Sequence, residues 1–132
     1  QLTRVEQNLE RRNQIWSIYN DALADLPIER PAPDEPETKH ARHLYTLMVD
    51  KAQSGITRDE FMQQLHEMNI GTGVHYYGVH LHPYYQQRLG YGPEDLPNAT
   101  WISERTVSLP LSPSLSDADV EDVIETVRFI LS

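Results

Sequence analysis

The sequence predicts an α+β fold: a small, mostly antiparallel sheet packed against helices in two layers, preceded by a long N-terminal helix. Three observations carry this reading. Apolar residues recur at helical spacing over residues 2–23, and at a period of two over residues 43–49, the signatures of one helical face and of a strand. Strand-like and helix-like segments then interleave without the regular crossover rhythm of a parallel α/β sheet. The 132 residues suffice for one core and are too few for two of ordinary size, so residues 1–132 are read as a single domain.

The elements follow in order. Leu2, Val5, Leu9, Trp16, Tyr19 and Leu23 stack on one face, widened by Ile15, Ile18 and Ala22, and this long helix is expected to stop near Leu26 and Pro27, where proline disfavours helical dihedrals. Gln1 is not an initiator methionine and the pattern is already running by Leu2, as if a longer chain had been cut. The other reading is a trimmed terminus with Thr3 and Glu6 in a capping box. Residues 27–36 hold four prolines and three acids, which predicts an extended connection or short edge strand. His43, Tyr45, Leu47 and Val49 form the best strand candidate, ending near Lys51.

Thr57 and Glu60 read as a capping box with Ile56 stapled on Phe61, opening a helix with the stripe Phe61, Leu65 and Met68 that Gly71 ends. The same grammar returns at Leu115, Ser116, Asp119 and Val120, which open a last helix with the stripe Val120, Val123, Ile124, Val127 and Ile130 or Leu131. Between these helices the sequence predicts a short strand over residues 73–76, a loop or short helix carrying Tyr84 and Tyr85, a helical turn over 98–104 and a strand over 106–109.

Composition excludes several classes. A net charge of -9 with only Lys39 and Lys51 as lysines does not supply the clustered cations that neutralise nucleic-acid phosphates. No apolar run spans a bilayer and no leader pattern precedes the first helix, so a cytoplasmic protein without a membrane role is expected. The chain has no cysteine, hence no disulfide and no thiolate metal site, consistent with a reducing compartment.

Candidate chemistry concentrates in Asn69–Tyr85, NIGTGVHYYGVHLHPYY, which gathers three of six histidines and four of seven tyrosines around glycines. Imidazoles exchange protons and hydrogen bonds near neutral pH, and phenols offer a flat face with a polar tip, as a ligand site requires. The competing reading is half-buried packing residues whose tips reach water or backbone. His80 and His82 on an extended stretch, with His75 nearby, invite a metal, but no third or fourth ligand completes a zinc set; His40 and His43 are better explained by strand packing. Gly71 and Gly73 follow a helix and lead into a strand, the reverse of a phosphate loop, and read as helix cap and strand entry. No nucleophile elbow is present, and Glu94, Asp95 and the acids of the last helix read as solvated faces.

Taken together, RRNQIWSIYNDAL, KHARHLYTLMVD, ITRDEF, GTGVHYYGVHLHPYY, LPNATWISERTVSLPLSP and SLSDADVEDVIETV give a pattern that resembles, in order and spacing, the C-terminal region of DegT-type sugar-nucleotide aminotransferases of PLP fold type I. LPNATWISERTVSLPL looks most like members that aminate a 4-keto pentose on UDP. The resemblance implies an absent large domain that carries the PLP-binding lysine and most cofactor contacts, a homodimer as the full-length protein, and a role in polysaccharide biosynthesis. Neither Lys39 nor Lys51 lies in the context of that lysine, so no catalytic residue and no bound PLP are expected in this chain alone, which is predicted inactive by itself. The resemblance carries over His75, Tyr76 and His80 as substrate-binding residues that hydrogen-bond the sugar or diphosphate and shape the pocket; Arg105 is a lesser candidate for an anion contact or a domain interface.

Two functions are therefore expected. In the first, the parent enzyme transfers an amino group, from glutamate, to a keto sugar nucleotide, with this domain on the sugar-nucleotide side of the cleft. The alternative is a stand-alone, non-catalytic binding or interaction module that retains the small-domain fold.

Overall fold

The computed structural model describes the backbone of residues 2–132 and the side chains from Thr3 onward. A single 3-10 turn, Leu2–Arg4, leads into α1, Val5–Ala22. Arg4 is its N-cap and no side chain caps it, so the Thr3–Glu6 capping box does not form. Glu6 instead accepts from Lys39 Nζ at 2.8 Å. Only the C-terminal half of the stripe is buried, through Ile15, Trp16 and Tyr19, while Val5 and Ile18 remain exposed. The helix ends at Ala22, short of Leu26, and Arg128 reaches across and donates to the Ala22 carbonyl at 2.6 Å, satisfying one of the acceptors that a helix end leaves open.

The proline-rich connection is extended, and within it Glu29 forms a single antiparallel bridge with Met48. Pro27 and Pro31 flank that bridge, and their missing N–H groups keep it from lengthening into a strand. The chain then folds back on α1. Arg42, at a φ of +49°, pairs with Asp34, donates to Asn13 Oδ1 at 3.0 Å and lies 4.4 Å from the Trp16 ring centroid.

The strand β1, Tyr45–Met48, pairs antiparallel with β2, Thr106–Leu109, in the register Tyr45↔Leu109 and Leu47↔Val107. It is shorter than the alternation from His43 suggests, and His43 is exposed. The directly opposed residues share a face, so Tyr45, Leu47, Val107 and Leu109 form the inner surface, completed by Val49. Against it pack Ile15, Trp16, Tyr19 and Leu23 of α1 and its exit, Phe61 and Leu65 of α3 (Arg58–Glu67), and Val120, Val123, Ile124, Val127 and Leu131 of α6 (Asp117–Leu131). Tyr19 and Tyr45 keep their hydroxyls bonded, to the Pro110 carbonyl at 3.0 Å and to Asn20 Oδ1 at 2.8 Å. Burial raises both phenols above their ordinary range, Tyr45 to about 12.

Both capping boxes form as read, Thr57 with Glu60 and Ser116 with Asp119. A short helix, α2 (Lys51–Ser54), follows β1 and holds Lys51 in its first position rather than at a strand end. Asp50 caps it by accepting from the Ala52 N–H at 3.1 Å, and Gly55, at a φ of +80°, ends it. The remaining helices are α4 (Pro83–Leu89), which carries Tyr84 and Tyr85, and α5 (Pro97–Arg105), which runs directly into β2. Two further 3-10 turns cover Val79–Leu81 and Pro93–Asp95.

The short strand expected over residues 73–76 is reduced to one bridge, Gly73↔Ser108. An antiparallel neighbour continuing past Gly73 would next need the Thr106 carbonyl, two residues along the same edge of β2. That carbonyl already accepts from Arg58 Nη1 at 2.9 Å. The buried Arg58 guanidinium therefore stops the sheet, and the chain leaves it to form the loop that holds the candidate residues.

Candidate functional site

The outer face of the sheet carries Thr46, Met48, Thr106 and Ser108, and the two residues on β2 are buried. Their cover is the loop running from Gly73 to His82. Gly73 starts it with a pair of backbone bonds to Ser108, of 3.2 and 2.8 Å. His75, half-buried, places Nδ1 2.8 Å from Ser108 Oγ. Tyr76 follows with its ring edge-on to His75, 4.9 Å between centroids, and is 73% exposed. Tyr77 is also exposed and packs edge-on against His82 at 5.0 Å.

The loop then turns back inward. The Gly78 N–H donates to Ser103 Oγ at 2.7 Å, and Ser103, on α5, is buried. His80 is 5% exposed, with Nε2 2.8 Å from Thr100 Oγ1. Of the three residues singled out as substrate-binding, His75 and Tyr76 thus stand side by side at the loop's outer tip, whereas His80 lies beneath it against α5. His80 and His82 do not face one way: His80 points inward and His82 is exposed beside Tyr77. Among the described residues, no group of three or more His, Cys, Asp or Glu side chains is arranged to hold a metal ion.

Arg105 closes α5. Its guanidinium lies 4.9 Å from the Trp101 ring centroid, donates to the Trp101 carbonyl at 3.2 Å and pairs with Glu104 at 3.1 Å. Its Nε sits 3.4 Å from Asp50 Oδ2 without hydrogen-bond geometry. Together with Asp50, Lys51, Arg58 and Tyr77 it lines an open cleft of about 610 Å³ beside the loop. Because Arg58 and Arg105 each have a carboxylate partner there, an anion entering this cleft would compete with those pairs.

Lys39 is exposed and paired with Glu6, and Lys51 is exposed on the short α2 helix. A lysine that holds and activates a carbonyl cofactor works from a desolvated pocket, so neither residue fits PLP attachment. Sequence reasoning missed Ser103, Ser108 and Thr100, the three hydroxyls that hold the loop. The signal that points to them is the twofold occurrence of Gly-Val-His, at Gly73–His75 and Gly78–His80.

The profile of the DegT/DnrJ/EryC1/StrS aminotransferase family matches residues 1–128. The spore coat polysaccharide biosynthesis protein SpsC of Bacillus subtilis is 46% identical over 132 residues, covering 99% of this chain and 34% of SpsC. The structure of a sugar aminotransferase from Streptococcus pneumoniae, Spr1654 in its PLP form, matches with a TM-score of 0.86 at 30% identity, over 98% of this chain and 32% of that one. The aminotransferase TlmJ from Streptoalloteichus hindustanus matches with the same TM-score at 29% identity, over 98% and 33%. The chain therefore spans about a third of the length of these relatives. It belongs to the DegT/DnrJ/EryC1/StrS aminotransferase family.

Proposed function

We propose that this chain is the C-terminal small domain of a PLP-dependent aminotransferase that moves an amino group, from glutamate, to a keto sugar nucleotide, and that it forms the sugar-nucleotide side of the cleft. The observation that carries the proposal is the pairing of His75 and Tyr76: one ring is anchored to the sheet through Ser108, and the next stands in solvent. A sugar offers hydroxyls in fixed directions, and two adjacent polar rings on a braced loop can meet them with little ordering cost. The relatives add support, since they include sugar aminotransferases and a polysaccharide biosynthesis protein.

PLP supplies the electron sink for amino transfer and, in this proposal, belongs to the remaining two thirds of the full-length protein, because no lysine described above fits it. Tyr76, Tyr77, Val79, Tyr84, Tyr85, Leu89, Tyr91 and Leu96 are all exposed within one 21-residue span. So dense an apolar surface calls for a covering partner, and the large domain of a cytoplasmic homodimer is the partner proposed. Among the described residues no helix is long and apolar enough to cross a membrane.

The test uses the natural full-length gene product. Expected are a mass of roughly three times this domain, an absorbance band between about 330 and 430 nm from bound PLP, and amination of a UDP-linked 4-keto pentose. Tyr76→Phe and His75→Gln should raise KM for the sugar nucleotide about tenfold with kcat little changed, since they remove binding rather than proton transfer. A natural product of only this size that stays colourless with added PLP would overturn the enzyme and leave a binding module. A KM unmoved by both substitutions would overturn the assignment of the site.

A further inference from the structure

The two Gly-Val-His triplets are the same device used twice. In each, the histidine ring folds back over the glycine two residues before it: a Cβ on Gly73 would lie 2.8 Å from His75 Cε1, and one on Gly78 would lie 2.9 Å from His80 Cε1. In each, a ring nitrogen then meets a hydroxyl at 2.8 Å, Ser108 Oγ for His75 and Thr100 Oγ1 for His80. A side chain at either glycine would force the ring or the backbone beneath it to shift, because contacts under 3.0 Å are essentially never seen for a Cβ. Both hydroxyls belong to one continuous stretch, α5 running into β2, so the two staples fix both ends of the segment bearing Tyr76 and Tyr77 to a common support.

The second staple has a defined direction. Thr100 Oγ1 donates its single proton to the Pro93 carbonyl at 2.8 Å, so toward His80 it can only accept. His80 must therefore carry a proton on Nε2 and donate it. The resulting chain, His80 to Thr100 to Pro93, ties the Val79–Leu81 turn, α5 and the Pro93–Asp95 turn together, and Ser103 adds the Gly78 N–H to the same helix. His80 is 5% exposed where Tyr76 is 73% exposed.

We propose that His80 and Thr100 are a positioning pair: His80 acts on the substrate through the loop, by fixing where Tyr76 and the free ring edge of His75 stand, and makes no contact with the substrate itself. This assignment rests on the sugar-nucleotide reading for what is positioned, but the positioning is measurable without any ligand.

The experiment measures amide hydrogen exchange of the loop in the ligand-free protein, with the His80 tautomer read by nitrogen-15 NMR. The unmodified protein should show His80 protonated at Nε2. Thr100→Val, nearly isosteric but without the acceptor, should speed exchange at Gly78, Leu81 and His82 by about tenfold or more while α6 stays protected. Thr100→Ser, which keeps the hydroxyl, should restore slow exchange, a rescue that shape alone would not produce. In the full-length enzyme Thr100→Val should raise KM for the sugar nucleotide as Tyr76→Phe does, with kcat preserved.

A His80 proton on Nδ1, or loop exchange unchanged by Thr100→Val, overturns the proposal. If Thr100→Val also loses α6 protection, the tautomer in the unmodified protein decides alone. A KM insensitive to Tyr76→Phe beside a loop that loosens in Thr100→Val would sink the sugar-nucleotide reading and leave the positioning pair standing.

Discussion

At the scale of single residues, the arginines decide much of what the periodic pattern left open. Arg58 occupies the Thr106 carbonyl and ends the sheet, Arg42 fastens the proline-rich return to Trp16, and Arg128 joins the end of α6 to the end of α1 through Ala22 and Asp25. The hydrogen bond from Arg128 holds the Asp25 carboxyl down to about 2, below its ordinary value of 3.8. A depressed carboxylate contributes stability above its unfolded value and loses it as the pH falls through the folded one. The protein should therefore lose this contribution between pH 3.8 and about 2, and Asp25→Asn should flatten that part of the urea midpoint against pH. A parallel acid limb in Asp25→Asn would mean the pair is silent, as many exposed pairs are.

The lesson at this scale is that the residue types at the site were legible and their company was not. Histidines and tyrosines among glycines marked residues 69–85. That His75 would face outward and His80 inward depends on Ser108 and Thr100, which lie 33 and 20 residues further along the chain, and no local pattern carries that information.

At the scale of elements, the two capped helices were readable because a capping box is a local hydrogen-bond circuit. In α6, Ser116 Oγ accepts from the Asp119 N–H at 3.1 Å while Asp119 Oδ2 accepts from the Ser116 N–H at 2.8 Å. Ser116→Ala should cost about 1 kcal/mol by urea unfolding, and Ser116→Asn should recover most of it; equal stability of all three proteins would show that tertiary packing alone holds the start of α6. Elements that lean on distant partners leave no such local signal. Residues 73–76 have strand composition but lost their pairing edge to Arg58. The four-residue helix α2 exists because Asp50 and Gly55 bracket it, a signal too short to rise above the surrounding turn residues.

At the scale of the whole molecule, one apolar cluster joins α1, α3, α6 and the inner face of the sheet, and Phe61 and Leu65 are wholly buried within it. Phe61→Ala should destabilise the domain by about 3–5 kcal/mol, the lost transfer energy plus the cavity, as measured by chemical unfolding. A cost below about 1 kcal/mol would mean that the core collapses around the gap and is less tightly packed than the burial implies. The exposed surfaces have the opposite character. Both ends of α1 and the tyrosine-rich span after the loop leave side chains uncovered, Val5 and Ile18 on the helix and Tyr84 and Leu89 on the span, and both surfaces belong to a chain spanning a third of its relatives' length.

The sequence by itself determined the α+β class, the long first helix, the Thr57–Glu60 and Ser116–Asp119 capping boxes, two strand segments without their pairing, and the family, because each rests on short-range periodicity, on local hydrogen bonding or on the order of motifs along the chain. Only the tertiary structure decided where the sheet stops, which histidine is presented and which is buried, and how the loop is braced. Those outcomes turn on single hydrogen bonds between residues far apart in sequence, Arg58 to Thr106, His75 with Ser108 and His80 with Thr100. Such bonds form only after the hydrophobic core has brought their partners together.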